Sequence, residues 1–243
     1  MHINSIAIIF ACQLNKKSEM LSKVKMSVND RIFLKNPESS DLGRKIIAES
    51  IALIGEMGFE QFTFRKLSEH IGSTEASVYR YFENKHRLLL YLIAWYWGWM
   101  ELRLLYLTAN VKDPEERLRR AIGLLAGVVG LDAAFAHVDE TKLHQIVISE
   151  SSKTYLTKTV DRENSEGFFR PYKQLVEHVA DIITEVNPAY RYPHMLVSTI
   201  IEGAHHQRFF AEHLPRLTDQ WDGEDSVIMF CQDLVFQAIK PTP

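Results

Sequence analysis

Apolar residues recur at three- and four-residue steps along most of the chain and nowhere alternate in a sustained way, so the pattern predicts helices throughout and no sheet. The first clear stripe is Ile46, Ile47, Ile51, Ile54 and Met57. Ser39-Ser40-Asp41 precedes it, short polar residues suited to capping a helix start, and Gly58 is placed to end it. A second, short helix is expected after Thr63, with Leu67 and Ile71 inward and Gly72 as its breaker. A third should run from Thr74 to about Phe82, and Asn84 can cap a fourth. That fourth helix is different, because Leu88 to Met100 is apolar on every face. Thirteen residues are too few to span a bilayer, and Glu101 and Arg103 follow at once, so it is expected to be a central helix packed on several sides. Asp113-Pro114 opens a fifth helix, by a cap followed by proline in the first turn, reaching about Leu131. Further helices are expected near Val138–Glu150, Phe168–Thr184, Pro193–Glu212 and Asp225–Ile239. Residues 13–38 mix Lys, Ser, Asn and Glu without periodicity and are expected to be poorly ordered.

Two short helices joined by a tight, glycine-containing turn follow the helix-turn-helix plan, whose second helix enters the DNA major groove. Leu67 and Ile71 on one helix face Val78 and Phe82 on the other, and the small Ala76 is expected to let the two approach closely. Thr74, Glu75 and Ser77 leave a short polar face that can bond base edges or phosphates. Arg44 and Lys45, at the start of the first helix, fit either phosphate contact or a solvated face.

The run Ser77-Val78-Tyr79-Arg80-Tyr81-Phe82-Glu83-Asn84-Lys85, with Gly58, Phe64 and Leu67 upstream, resembles the tetracycline-repressor-like (TetR) family of dimeric bacterial regulators over about residues 42–90. The resemblance implies an all-α chain: a flexible arm (1–38), a three-helix helix-turn-helix domain (39–84), and a helical effector-binding and dimerisation domain (85–243) entered through the long fourth helix. It implies that Thr63 and Lys85 hold phosphates, that Tyr79 and Tyr81 point hydroxyls at the DNA backbone, and that Thr74, Glu75, Ala76 and Ser77 face the bases. Arg44 and Ser73 complete the expected DNA-contacting set. The sequence departs from the family at Ser73, usually apolar, and at Glu75, usually not acidic. Glu75 lies in a first helical turn, where the backbone dipole favours negative charge, and it can accept from a cytosine amino group while repelling phosphates.

Composition changes this picture little, but charge refines it. The net charge is -3, yet residues 1–88 carry 13 Lys and Arg against 10 Asp and Glu, and the remainder carries 15 against 21. A mildly basic head on an acidic body suits contact with DNA through one end. Cys12 and Cys231 stand alone, outside any metal-binding spacing, which fits a reducing cytoplasm. Ile6–Phe10 is apolar and runs into Ala11-Cys12, but no Lys or Arg precedes it, so export or lipid anchoring is not expected and Met26 is an alternative start.

In the body, Trp95 and Trp99 share a helical face and are candidates for an aromatic pocket, with His144, Ile148, Tyr172 and His205; core packing is the competing reading. Glu202 and His205 have the spacing of a metal-binding pair, but no second pair stands in the body, so no metal or other cofactor is expected. There is no phosphate loop, nucleophile elbow or His-Glu-x-x-His pair, and no enzyme is expected. Val197, Ile201, Ala204 and Arg208 on one late helix, and Val227, Phe230, Cys231, Leu234 and Ala238 on the last, form stripes expected to meet a second copy in a four-helix interface. The expected partners are therefore a palindromic double-stranded operator, a second copy of the chain and an unidentified small effector, with no membrane. A helical enzyme or metal protein with a vestigial DNA-binding head is the alternative.

Overall fold

Ser40 accepts a hydrogen bond from the Gly43 amide at 3.2 Å and so opens the first helix, α1 (Asp41–Gln61). The computed structural model describes residues 27–130, 137–221 and 223–240. Cys12, the apolar run 6–10, Met26 and residues 13–26 of the expected arm lie outside the described residues.

Ten further helices follow: α2 (Phe64–Ile71), α3 (Glu75–Tyr79), α4 (Lys85–Thr108), α5 (Pro114–Ala126), α6 (Glu140–Glu150), α7 (Ser152–Tyr155), α8 (Val160–Ser165), α9 (Arg170–Val186), α10 (Pro193–His213) and α11 (Ser226–Ala238). Strands are absent among the described residues. The polar residues ahead of the apolar stripes cap them as expected: the side chains of Thr63, Thr74, Asn84 and Asp113 each accept from an amide two or three residues on. Gly58, at φ 76° and ψ 155°, interrupts α1, and one more turn follows it. Two helices are shorter than the sequence suggested: α3 ends at Tyr79, not Phe82, and α5 ends at Ala126, not Leu131.

α4 is the axis of the molecule. Leu88 to Trp97, Trp99, Met100 and Leu104 are all buried, so its all-round apolar surface is covered by α9, α5 and α6. α10 and α11 pack on α5 and on each other. Arg208 fastens this corner, donating to the Ala126 carbonyl at the end of α5 and to both carboxylate oxygens of Asp225, the α11 cap, at 2.7 Å. The head, α1 to α3, packs through α1 on α6, and Lys85 at the start of α4 bonds the end of α1. No helix among the described residues is long and apolar enough to cross a membrane.

The expectation of a poorly ordered arm fails for residues 27–38. Ile32 is 1% exposed within the core. Leu34 donates its amide to the Tyr81 carbonyl, Asn29 donates to the Glu166 carbonyl, and Glu38 accepts from His137 at 2.9 Å. These contacts join the segment to head and body together. Backbone approach is so close that a Cβ on Gly43 would stand 2.1 Å from the Pro37 carbonyl oxygen, so only glycine fits there.

Candidate nucleic-acid interface

The turn between α2 and α3 is built by Gly72 in the left-handed region at φ 66°, with the Ser73 amide donating to Ser68 O at 2.9 Å and the Gly72 amide to Glu69 O. This six-to-one bond closes the carbonyl end of α2, and a side chain at Gly72 would strain it. One residue later the Thr74 side chain accepts from the Ser77 amide, and the two hydroxyls lie 2.8 Å apart. Val78 and Phe82 are completely buried, so α3 is locked by one side only. The other side is open: Thr74, Glu75, Ala76, Tyr79 and Arg80 are exposed, and Ser73 and Ser77 are half-buried. Tyr79 is 46% exposed, its ring held edge-on by Phe64 at 5.0 Å.

Several expected roles need correction. Tyr81 is 1% exposed and its hydroxyl bonds Ser40 Oγ at 2.7 Å, so it braces the start of α1 and points at no external phosphate. Spacing is the cause: the backbone stays near-helical through Arg80, so Tyr81, three residues after the buried Val78, falls on the inward side, away from Tyr79. Lys85 Nζ donates to the carbonyls of Phe59, Glu60 and Phe62 at 3.0–3.2 Å and lies over the Phe59 ring. It closes the carbonyl end of α1, where a cation is favoured, and its three protons are already engaged. Arg44 is tied to the Glu38 carbonyl and the Asp41 carboxylate. Ala76 is exposed and does not mediate helix contact. Thr63 is exposed, with its hydroxyl accepting from the Lys66 amide. Arg80, exposed beside Tyr79, stands outside the expected set. Its position directly after Tyr79 in the quoted motif is the signal that could have revealed it, once α3 is known to stop there.

The body residues also separate. His144 and Ile148 line a 450 Å³ cleft, but Trp95, Trp99, Tyr172 and His205 do not. Trp95 and Trp99 stack on each other inside the core at 6.4 Å, Tyr172 stacks on Trp97 at 4.3 Å, and His205 packs against Trp97. Glu202 accepts from Tyr155 and Tyr172, and His205 lies among rings, so the two do not act as a ligand pair. Of the stripes expected at an interface, Val197, Ile201, Ala204, Val227 and Cys231 are buried within their own subunit, and Arg208 is engaged in the corner described above. Only Phe230, Leu234 and Ala238 face outward, Phe230 being 57% exposed. A helix stripe shows which residues avoid water, not which chain covers them.

Residues 46–92 match the model of the family described as bacterial regulatory proteins, tetR family. No curated protein matches the chain. Among solved structures it is similar to the fatty acid degradation regulator FadR from Bacillus halodurans, at TM-score 0.55 and 15% identity over 79% of this chain and 92% of that one. It is similar also to a TetR-family transcriptional regulator from Bordetella parapertussis (TM-score 0.54, 13% identity, 83% and 96% covered). A third is AibR, solved with isovaleryl coenzyme A and operator DNA (TM-score 0.50, 16% identity, 82% and 100% covered). These likenesses concern the fold. The likeness to the tetR family of bacterial regulatory proteins is thus carried by the helix-turn-helix head, over residues 46–92.

Proposed function

We propose that the protein is a cytoplasmic, non-enzymatic repressor that binds a palindromic operator as a homodimer and is released by a small effector. The observation that carries this reading is the open face of α3: Thr74, Glu75, Ala76, Tyr79 and Arg80 stand out from a helix that Val78 and Phe82 anchor from behind. Short polar side chains on so short a helix can approach base edges without steric conflict, and Arg80 and Tyr79 flank them as phosphate contacts. Residues 39–84 then act as the DNA-binding domain and 85–243 as the effector and dimerisation domain. AibR, with a similar fold, is solved with operator DNA and a ligand together, which supports the pairing of the two activities.

Dimerisation is supported by the outward apolar side chains Met195 on α10 and Phe230 and Leu234 on α11. Two recognition helices set by such a two-fold would read half-sites about 34 Å apart. The coupling path is short. Lys85, first residue of α4, grips the end of α1, and Glu150 at the end of α6 accepts from the Phe59 amide at 3.2 Å. A ligand that favours a different tilt of α4 or α6 therefore moves the head, by no more than its differential affinity for the two states.

The test is selection of duplexes from a random pool at low salt, followed by sedimentation of the complex. A recovered palindrome bound by two chains is expected. A protein that retains no duplex of any sequence ends the reading.

A further inference from the structure

The 450 Å³ cleft lies between α1, α6 and the last turns of α10, lined by Gly55 of the head and by His144, Ile148, Arg208, Phe209 and Glu212 of the body. It falls within the range of small-molecule sites, roughly 300–1,000 Å³. The other cavities fit a ligand less well. The slot beside Trp97 and Tyr172 measures 10 Å³, and a 260 Å³ hollow near Trp221 and Phe230 has no buried polar group among its lining residues.

His144 gives the cleft its chemistry. It is 7% exposed, and its Nδ1 lies 2.7 Å from the hydroxyl of the fully buried Tyr96. That hydroxyl has no other acceptor and stays protonated, since burial raises its pKa, so it donates to Nδ1. Burial, with the nearby cations Arg208 and Arg103, lowers the imidazole pKa to about 4. A neutral ring that accepts at Nδ1 must carry its single proton on Nε2. Among the described residues that N–H has no hydrogen-bond partner, and His144 is a wall of the cleft.

Charge narrows the ligand further. Arg208 is the only guanidinium among the lining residues; the Ala126 carbonyl and Asp225 take its Nε and Nη2, and the Asp225 carboxylate balances its charge. Glu212 sits at the same cleft, so an entering carboxylate meets a like charge, while the one guanidinium there is already charge-balanced by Asp225. Ile148, Val128 and Phe209 supply apolar contact.

We infer that this cleft is the effector site, and that it takes an uncharged, largely apolar molecule with a carbonyl oxygen that accepts the Nε2–H of His144. The inference rests on the ligand-responsive reading above and deepens it. Because Gly55 belongs to α1, the ligand touches the DNA-binding head itself, and wedging α1 from α6 changes the head's attitude without a relay through the core.

The probe pair is methyl octanoate and octanoate, equal in chain and different in charge, titrated calorimetrically into the full chain without DNA. The ester is expected to bind at least about tenfold tighter than the carboxylate. A Cβ at Gly55 meets nothing within 4 Å, so Gly55→Ala should fold and bind, while Gly55→Leu and Ile148→Trp fill the space and abolish binding. Tyr96→Phe combined with His144→Phe removes donor and acceptor together and should weaken ester binding by about tenfold. Octanoate binding as tightly as the ester, no ester binding at all, or ester binding indifferent to both filling variants would each overturn the inference. Duplex binding is scored separately. Loss of DNA binding with ester binding intact counts against the regulator, and the reverse counts against the cleft.

Discussion

α3 and α4 are separated by five residues and obey opposite rules. α3 has 5 residues, buries only Val78 among them, and offers polar side chains to whatever approaches. α4 has 24, and thirteen of them are buried on every side, including three tryptophans and two tyrosines. Residue type does not separate the two. Both carry aromatic residues, but Tyr79 of α3 is 46% exposed while every aromatic residue of α4 from Tyr91 to Trp99 is buried. Chemistry toward a partner resides where packing has left side chains unclaimed, and the richest aromatic stretch of this chain is wholly claimed.

Breaking α4 should therefore cost stability and nothing else. Trp99 is 1% exposed, stacked on Trp95 and capped by Arg103 at 4.6 Å. Trp99→Ala should lower unfolding free energy by about 3–5 kcal/mol, read from urea melts, with operator preference unchanged where the variant is folded. A variant of undiminished stability whose ligand response alone is altered would return these tryptophans to the pocket and dissolve the contrast.

The body also holds an acid sensitivity of its own. Burial lowers the pKa of His144 to about 4 and of His205 to about 3, and the two rings face each other at 5.8 Å. The unfolded chain takes up these protons below about pH 6.5 while the folded chain refuses them. Stability from this source is full above pH 6.5 and is lost as pH falls toward 4. For His144 the loss reaches about 3 kcal/mol. His144→Asn keeps an acceptor for Tyr96 without the titration, so its urea midpoint should fall less steeply between pH 7 and pH 5 than the parent's. Parallel slopes would show that carboxylates alone govern acid unfolding.

A sharper version of the comparison lies inside the motif. Tyr81→Phe removes one buried hydrogen bond, to Ser40, and should cost about 1 kcal/mol with DNA affinity preserved. Arg80→Ala should leave stability within about 0.5 kcal/mol but weaken every duplex alike and lower the slope of affinity against salt by about one counterion. If Tyr81→Phe weakens DNA binding as much as Arg80→Ala does, the buried tyrosine has a second role through α1.

These adjacent residues also mark how far the sequence could be read. Caps are local, so Ser40, Thr63, Thr74, Asn84 and Asp113 announced their helices, and Gly72 announced its turn. The uniform apolarity of α4 announced a central helix. What depended on distant partners stayed hidden. Nothing near Asn29 in sequence foretells the Glu166 carbonyl, 137 positions away, that orders residues expected to be loose. Nothing near Lys85 foretells the three carbonyls of α1 that occupy it. Val197 and Phe230 belong to equally convincing stripes, and only the packed chain shows that one faces its own core and the other faces outward.

The smallest expected change in stability, and the most informative change in behaviour, belongs to Glu75. It is exposed in the first turn of α3, where the helix dipole favours its charge, and Thr74 already caps the helix without it. Glu75→Ala should therefore shift unfolding by no more than about 0.5 kcal/mol. Its carboxylate can accept from a cytosine amino group but repels the phosphates on either side, so it trades non-specific affinity for sequence preference. Removing it should tighten binding to unrelated duplexes and relax discrimination at one base pair of each half-site, and Glu75→Lys should do both more strongly while favouring guanine there. Duplex selection repeated with both variants measures this directly. Identical selected sequences for parent, Ala and Lys forms would mean that α3 meets DNA with Glu75 turned away from the bases, and the reading face would have to be redrawn around Ser77 and Tyr79.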